Sequence, residues 1–186
     1  SLTYPRVVET STTSTEINIT NPNDTVASVV LTLFDATGAQ QDVETVNVPV
    51  KGQVNGTVSG LMGVESTAGG YLTAQASSSI FGTAVVSESN SDFSTLNAIG
   101  TPSVSTLIFP HIASGMDWAT TLFLLNTGPG PEQVSLGLFF DDGTAGLTAT
   151  VTVNPDQLYS TTVASLFGLD GSSLRIGWVR ATASSA

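Results

Sequence analysis

Apolar and polar residues alternate with a period of two along most of this chain. Thr15, Ile17 and Ile19 are interleaved with Glu16, Asn18 and Thr20, and the run stops at Asn21-Pro22-Asn23-Asp24. Val29, Leu31 and Leu33 alternate with Ser28, Val30 and Thr32 before the turn Asp35-Ala36-Thr37-Gly38. Val46 and Val48, Val54 to Val58, Leu72, Ala74 and Ala76, and Ile80 to Ser87 continue the pattern. Side chains on a strand point alternately to its two faces, so this spacing predicts half-buried strands separated by Gly, Pro, Asn and Asp turns. With Leu2 to Val8 in front, the first half holds roughly seven strands, the number of an immunoglobulin-like β-sandwich. The best helical signal is a short corner, Gly60-Leu61-Met62-Gly63, with a partner at Ser165-Leu166-Phe167-Gly168.

That partnership is general, because the chain is written twice. Tyr4-Pro5 matches Phe109-Pro110, Asn21 matches Asn126, Leu31 matches Leu136, Phe34 matches Phe139 and Gly63 matches Gly168, all 105 residues apart. About a quarter of the positions over this stretch are identical. An internal repeat points to tandem units of one fold. The fold expected is therefore all-β, two tandem immunoglobulin-like sandwiches: repeat 1 over 1–88, a polar linker over 89–106, and repeat 2 over 107–186. In the second copy the strands are expected around Thr121, Phe123 and Leu125, Val134 to Leu138, Val151 and Val153, Leu158 to Val163, and Leu174, Ile176 and Trp178. The last of these is placed by a spacing of 102, as if three residues were lost after Leu166. On that spacing Trp178 matches Ala76 and points into the core, and Ala186 matches Ala84. The second copy then lacks the end of its last strand.

Composition narrows the function. Charged residues make up 10% of the chain, four of them Lys or Arg against fifteen Asp or Glu, for a net charge of -11. Clustered cations are what neutralise phosphates, so nucleic acid is not an expected partner, and neither is an anionic membrane surface. No apolar run is long enough for a membrane-spanning helix, so membrane insertion is not expected. There is no Cys, which removes disulfides and thiolate chemistry.

Candidate chemistry is sparse. His111 is the single histidine, too few for a His-rich metal site, and no Gly-x-Ser-x-Gly elbow accompanies it. It is expected to hydrogen-bond loop backbone near a strand start. Asp141 and Asp142, followed by Gly143, are oxygen donors of the type calcium takes, and they are equally the residues of a hairpin turn. Trp118 is the candidate for ligand contact, through stacking on a sugar ring. Asn18, Asn23 and Asn55 each begin an Asn-x-Thr acceptor pattern for glycosylation. No catalytic residue and no cofactor is expected.

The segment Phe109-Pro110-His111-Ile112-Ala113-Ser114-Gly115, followed by Trp118-Ala119-Thr120-Thr121-Leu122 and Leu125-Asn126, resembles a repeat of large exported bacterial surface proteins. Phe139-Phe140-Asp141-Asp142-Gly143 and Leu174-Arg175-Ile176-Gly177-Trp178-Val179-Arg180 fit the same pattern. The resemblance implies immunoglobulin-like surface modules, in which the Gly-Trp strand is followed by another like Ile80 to Val86. It carries no catalytic residues. The expected function is a non-enzymatic, extracellular structural protein, a subunit or segment of a cell-surface or filamentous assembly. Its partners would be copies of itself or neighbouring domains of a longer chain, joined by strand exchange. The alternative is a carbohydrate-binding or adhesive module pair of a larger secreted protein, with glycans as the partner.

Overall fold

The computed structural model describes residues 1–88, 93–100 and 104–184. The chain is all-β, with antiparallel sheets stacked in the manner of a β-sandwich, and it divides into two compact units, Ser1–Pro102 and Ser103–Ala186.

Unit 1 contains β1 (Leu2–Glu9), β2 (Thr13–Thr20), β3 (Ala27–Asp35), β4 (Gln40–Val48), β5 (Gln53–Thr57), the one-turn helix α1 (Val58–Met62), β6 (Thr67–Ala76), β7 (Phe81–Glu88), β8 (Phe93–Asn97) and β9 (Ile99–Gly100). One sheet runs β4-β3-β6-β1-β9 and the other β5-β2-β7-β8. The alternating residues named above meet between them: Ile17 and Ile19 from one sheet, Val29, Leu31, Leu33, Leu72 and Ala74 from the other, all fully buried.

Residues 93–100 belong to the stretch expected to be a linker whose Phe93, Leu96 and Ile99 dock on a domain; they add β8 to the edge of β7 and β9 to the edge of β1. Asn90, Asp92 and Pro102, from the same stretch, lie outside the described residues.

Unit 2 contains β10 (Thr106–Ser114), β11 (Thr121–Leu125), β12 (Glu132–Phe140), β13 (Ala145–Val153), β14 (Leu158–Thr162), α2 (Val163–Phe167) and β15 (Arg175–Ala183). Its larger sheet, β10-β15-β12-β13, repeats β1-β6-β3-β4. Among the described residues its smaller sheet holds two strands, β11 and β14, the counterparts of β2 and β5.

The same local devices recur at the spacing of 105. Pro5 and Pro110 lack an N–H for the ladder, and each sits at a break in strand register, between Tyr4 and Val7 and between Phe109 and Ile112. Just beyond, the Thr15 hydroxyl accepts from the Val8 N–H and donates to the Val8 carbonyl, and Thr120 does the same with Ala113. Both helices start on a threonine, Thr57 accepting from the Gly60 N–H and Thr162 from the Ser165 N–H. Both end on a left-handed glycine, Gly63 and Gly168. The corner expected from sequence is thus a capped helical turn, and Val58, Met62, Val163 and Phe167 on it are buried.

Two expectations for the second copy are corrected. On β11 the inward residues are Leu122 and Leu124, the counterparts of Ile17 and Ile19, while Thr121 is exposed and Phe123 half-buried. On β15 the hydrogen-bond register fixes the match to unit 1. Val29 pairs with Ala76 and Val134 with Ala183; Phe34 pairs with Tyr71 and Phe139 with Trp178. The spacing on this strand is therefore 107, so the connection after α2 gains two residues where a loss of three was expected. Trp178 corresponds to Tyr71, not to Ala76. Gly177, Val179 and Ala181 face the core, and Trp178 lies on the outer face, stacked on Phe139 with ring centroids 4.2 Å apart. Phe34 and Tyr71 make the same stack at 4.8 Å.

Candidate functional site

The two units differ most where β7 lies. In unit 1, β7 pairs with β2 along its whole length, from Thr13 opposite Glu88 to Thr20 opposite Phe81. Ala84 and Val86 on it, with Ile80 just before it, are buried in the core. In unit 2, β11 pairs with β14 on one side, and no described strand pairs with its other side.

An open groove of about 670 Å³ lies beside Leu124 within unit 2. Its floor is apolar: Leu107, Leu124, Val134, Val153, Ala181 and Ala183. Asn126, Thr127 and Glu132 give it a polar rim. Two floor residues show what their counterparts in unit 1 gain from cover. Leu2 is 8% exposed and Leu107 41%; Val29 is 0% exposed and Val134 8%. Part of the Leu2 difference comes from β9, which pairs with Leu2. Tyr4 is fully buried, whereas its counterpart Phe109 is half-buried.

The rim differs between the units as well. Asn21 is fully buried; its side-chain amide donates to the carbonyls of Thr25, Val48 and Pro49, and its Oδ1 accepts from the Asn23 N–H. Asn126 repeats this, donating to Gly130 and Val153 and accepting from the Gly128 N–H. Asn23 also donates from its side chain to the Ser79 carbonyl at 2.8 Å, fastening the turn that leads into β7. The residue in that place in unit 2 is Gly128, which has no side chain to fasten anything.

The groove was not legible as a set of site residues in the sequence, because its floor reads as ordinary core.

The residues singled out from sequence fall elsewhere and are not brought together. His111 lies in the second half of β10, exposed, beside the break in register rather than in a loop. Trp118 is 65% exposed in the β10–β11 turn, held by paired backbone bonds with Gly115, and the neighbouring Met116 is exposed as well. Asp141 and Asp142 occupy the β12–β13 turn. The Asp142 carboxylate accepts from the Thr144 hydroxyl at 2.6 Å and from the Thr144 N–H at 2.8 Å. Those bonds hold its pKa below the usual range, the hydroxyl having the larger effect. Asp35 is lowered in the same way by Thr37, and Asp170 is lowered first by the Ser172 N–H and then by its hydroxyl. Among the described residues no three His, Cys, Asp or Glu side chains stand close enough to hold a metal ion. Asn18 is half-buried on the central strand β2, Asn23 is tied to the Asn21 side chain and Ser79, and Asn55 is exposed on β5 facing Glu16.

No family model matches the chain, and searches of the curated proteins and of the solved structures found no match.

Proposed function

We propose that this chain is a non-enzymatic extracellular structural protein, a tandem pair of immunoglobulin-like sandwiches serving as a subunit or segment of a cell-surface or filamentous assembly. The observation that carries this reading is the repetition itself: the strand order β1-β6-β3-β4 recurs as β10-β15-β12-β13, and α1 and α2 carry the same threonine and glycine caps. Three further features support it. The surface is polar with few charges to repel a neighbouring strand, Asp35, Asp142 and Asp170 spend their carboxylates on their own turns, and the single histidine stands alone. Size-exclusion chromatography and electron microscopy of the isolated chain test the proposal. Concentration-dependent oligomers or fibres are the expected result, and a stably folded, strictly monomeric chain at high concentration would sink it.

A second reading has one specific observation behind it. Trp118 stands 65% exposed beside the exposed Met116 on a turn, a placement suited to stacking on a sugar ring. A glycan array separates the two readings: binding that is lost in Trp118→Ala would favour a carbohydrate-binding or adhesive module.

A further inference from the structure

We infer that β13, the edge strand of the larger sheet of unit 2, is a docking edge for β13 of a second copy of this chain, the two strands pairing antiparallel about a two-fold axis at Thr150. The inference deepens the assembly reading above and rests on it for the second copy.

β4 and β13 hold the same place in the two units, each at the end of its sheet with β3 or β12 on one side. Neither has a second strand partner among the described residues. They differ in what guards the free side. β4 carries Glu44 opposite Leu31 and Asp42 opposite Leu33, on the face that turns toward the core. Charges on that face of an edge strand keep another strand from adding, because pairing would bury them. At the spacing of 105 their places are taken by Ala149 and Leu147, and β13 has no charged residue along its length. Leu147 is 51% exposed on this edge.

The strand is also complementary to itself. From Thr148 to Val153 its ladder to β12 is unbroken, so this stretch is regular enough to pair again on its other side. An antiparallel two-fold centred on Thr150 sets Ala149 opposite Val151 of the second copy, Thr148 opposite Thr152, and Thr150 opposite its own copy. The inner-face pairs are then apolar and the outer-face pairs are threonines, both favourable across strands. The same operation on β4, centred on Thr45, would press Glu44 against Val46 and Asp42 against Val48. Because each strand meets its own copy, the contact is isologous and closes at two chains. The net charge of -11 on each chain opposes the approach. The dimer should therefore tighten as salt screens that repulsion, whereas a contact made by ion pairs would loosen.

Sedimentation equilibrium of the full chain between about 10 µM and about 1 mM reads the dimer. Ala149→Glu gives β13 the residue that β4 has at that place, and Thr150→Lys adds a charge at an exposed position. Each should weaken dimerisation at least about tenfold, with the fold checked by near-ultraviolet circular dichroism. Should one variant fail to fold, the other decides. The chain has no Cys, so Thr150→Cys should join two copies by a disulfide under mild oxidation, while Thr45→Cys on β4 should not. The inference is overturned if a folded charged variant dimerises like the parent, if Thr45→Cys cross-links as readily as Thr150→Cys, or if the parent stays monomeric throughout. Oligomers that persist in the charged variants would remove this contact and leave the assembly reading standing. A β13 dimer beside glycan binding that is lost in Trp118→Ala would keep the contact and displace the structural reading.

Discussion

The Asn126 side chain donates to the Val153 carbonyl at 2.9 Å, joining two points 27 residues apart, as Asn21 reaches Val48 at 3.2 Å in the other unit. A turn residue thus closes one end of each sandwich by satisfying the carbonyl on which β13, or β4, ends. Asparagine suits this position because its amide donates twice while its oxygen accepts from the chain two residues on.

Replacing either Asn with Ala leaves carbonyls without partners, at about 1–3 kcal/mol where the site is buried. Asn21→Ala should cost more than Asn126→Ala, because Asn21 is fully buried and serves three carbonyls against two. Urea unfolding of the two single variants checks the order, and equal losses would contradict it.

Gly70 and Gly177 are the matched tight points of the two larger sheets. A Cβ on Gly70 would collide with the Phe34 carbonyl, and one on Gly177 with the Phe139 carbonyl. Backbone must then move, so each Gly→Ala change should cost about 3 kcal/mol. At Gly63 a Cβ meets nothing and only the left-handed conformation, φ 72°, is strained. Gly63→Ala should therefore cost only about 1 kcal/mol. Thermal unfolding of the three variants separates collision from backbone strain.

The Tyr4 hydroxyl donates to the Asn18 carbonyl at 3.1 Å and occupies the space beside Gly82. Gly82→Ala should destabilise unit 1 by about 2 kcal/mol through overpacking. Adding Tyr4→Phe should recover part of this, with a favourable coupling of about 1 kcal/mol in a double-mutant cycle. Burial also pushes the Tyr4 phenol well above its ordinary value of 10.0. The neutral form is thus favoured by folding, so its contribution is complete below that value and lost as pH rises toward the folded-state pKa. Alkaline unfolding should begin later in Tyr4→Phe than in the parent.

Hydrogen bonds from Thr144 hold the Asp142 carboxyl below its ordinary value of 3.8. A lowered folded-state pKa means that the stabilisation is present above the unfolded value and disappears as pH falls through the folded one. Asp142→Asn keeps an acceptor for Thr144 but no longer titrates. Urea midpoints between about pH 6 and about pH 2 should therefore fall less steeply in this variant than in the parent. A parallel shift at all pH values would count against the mechanism.

The chain's own residues determined that the molecule is built of strands, that it is built twice, and where the capped corners fall. These follow from a period of two, from identities at one spacing, and from the corner residues up to Gly63 and Gly168, all local properties of the backbone. Three matters were decided by tertiary structure. Alternation says that a strand has two faces without saying which is buried, so Trp178 looked like core while Gly177, Val179 and Ala181 carry the inner face of β15. Residue identities cannot place an insertion in a loop, but ladder hydrogen bonds can, and they set the last matched strand at 107 instead of 102. Phe93 to Gly100 read as a linker because their side chains are mixed, yet the free edges of β7 and β1 gave their backbone partners. The groove belongs with these. Leu107, Val134 and Ala183 are core residues by sequence, and only the packed sheets show that they line a groove among the described residues.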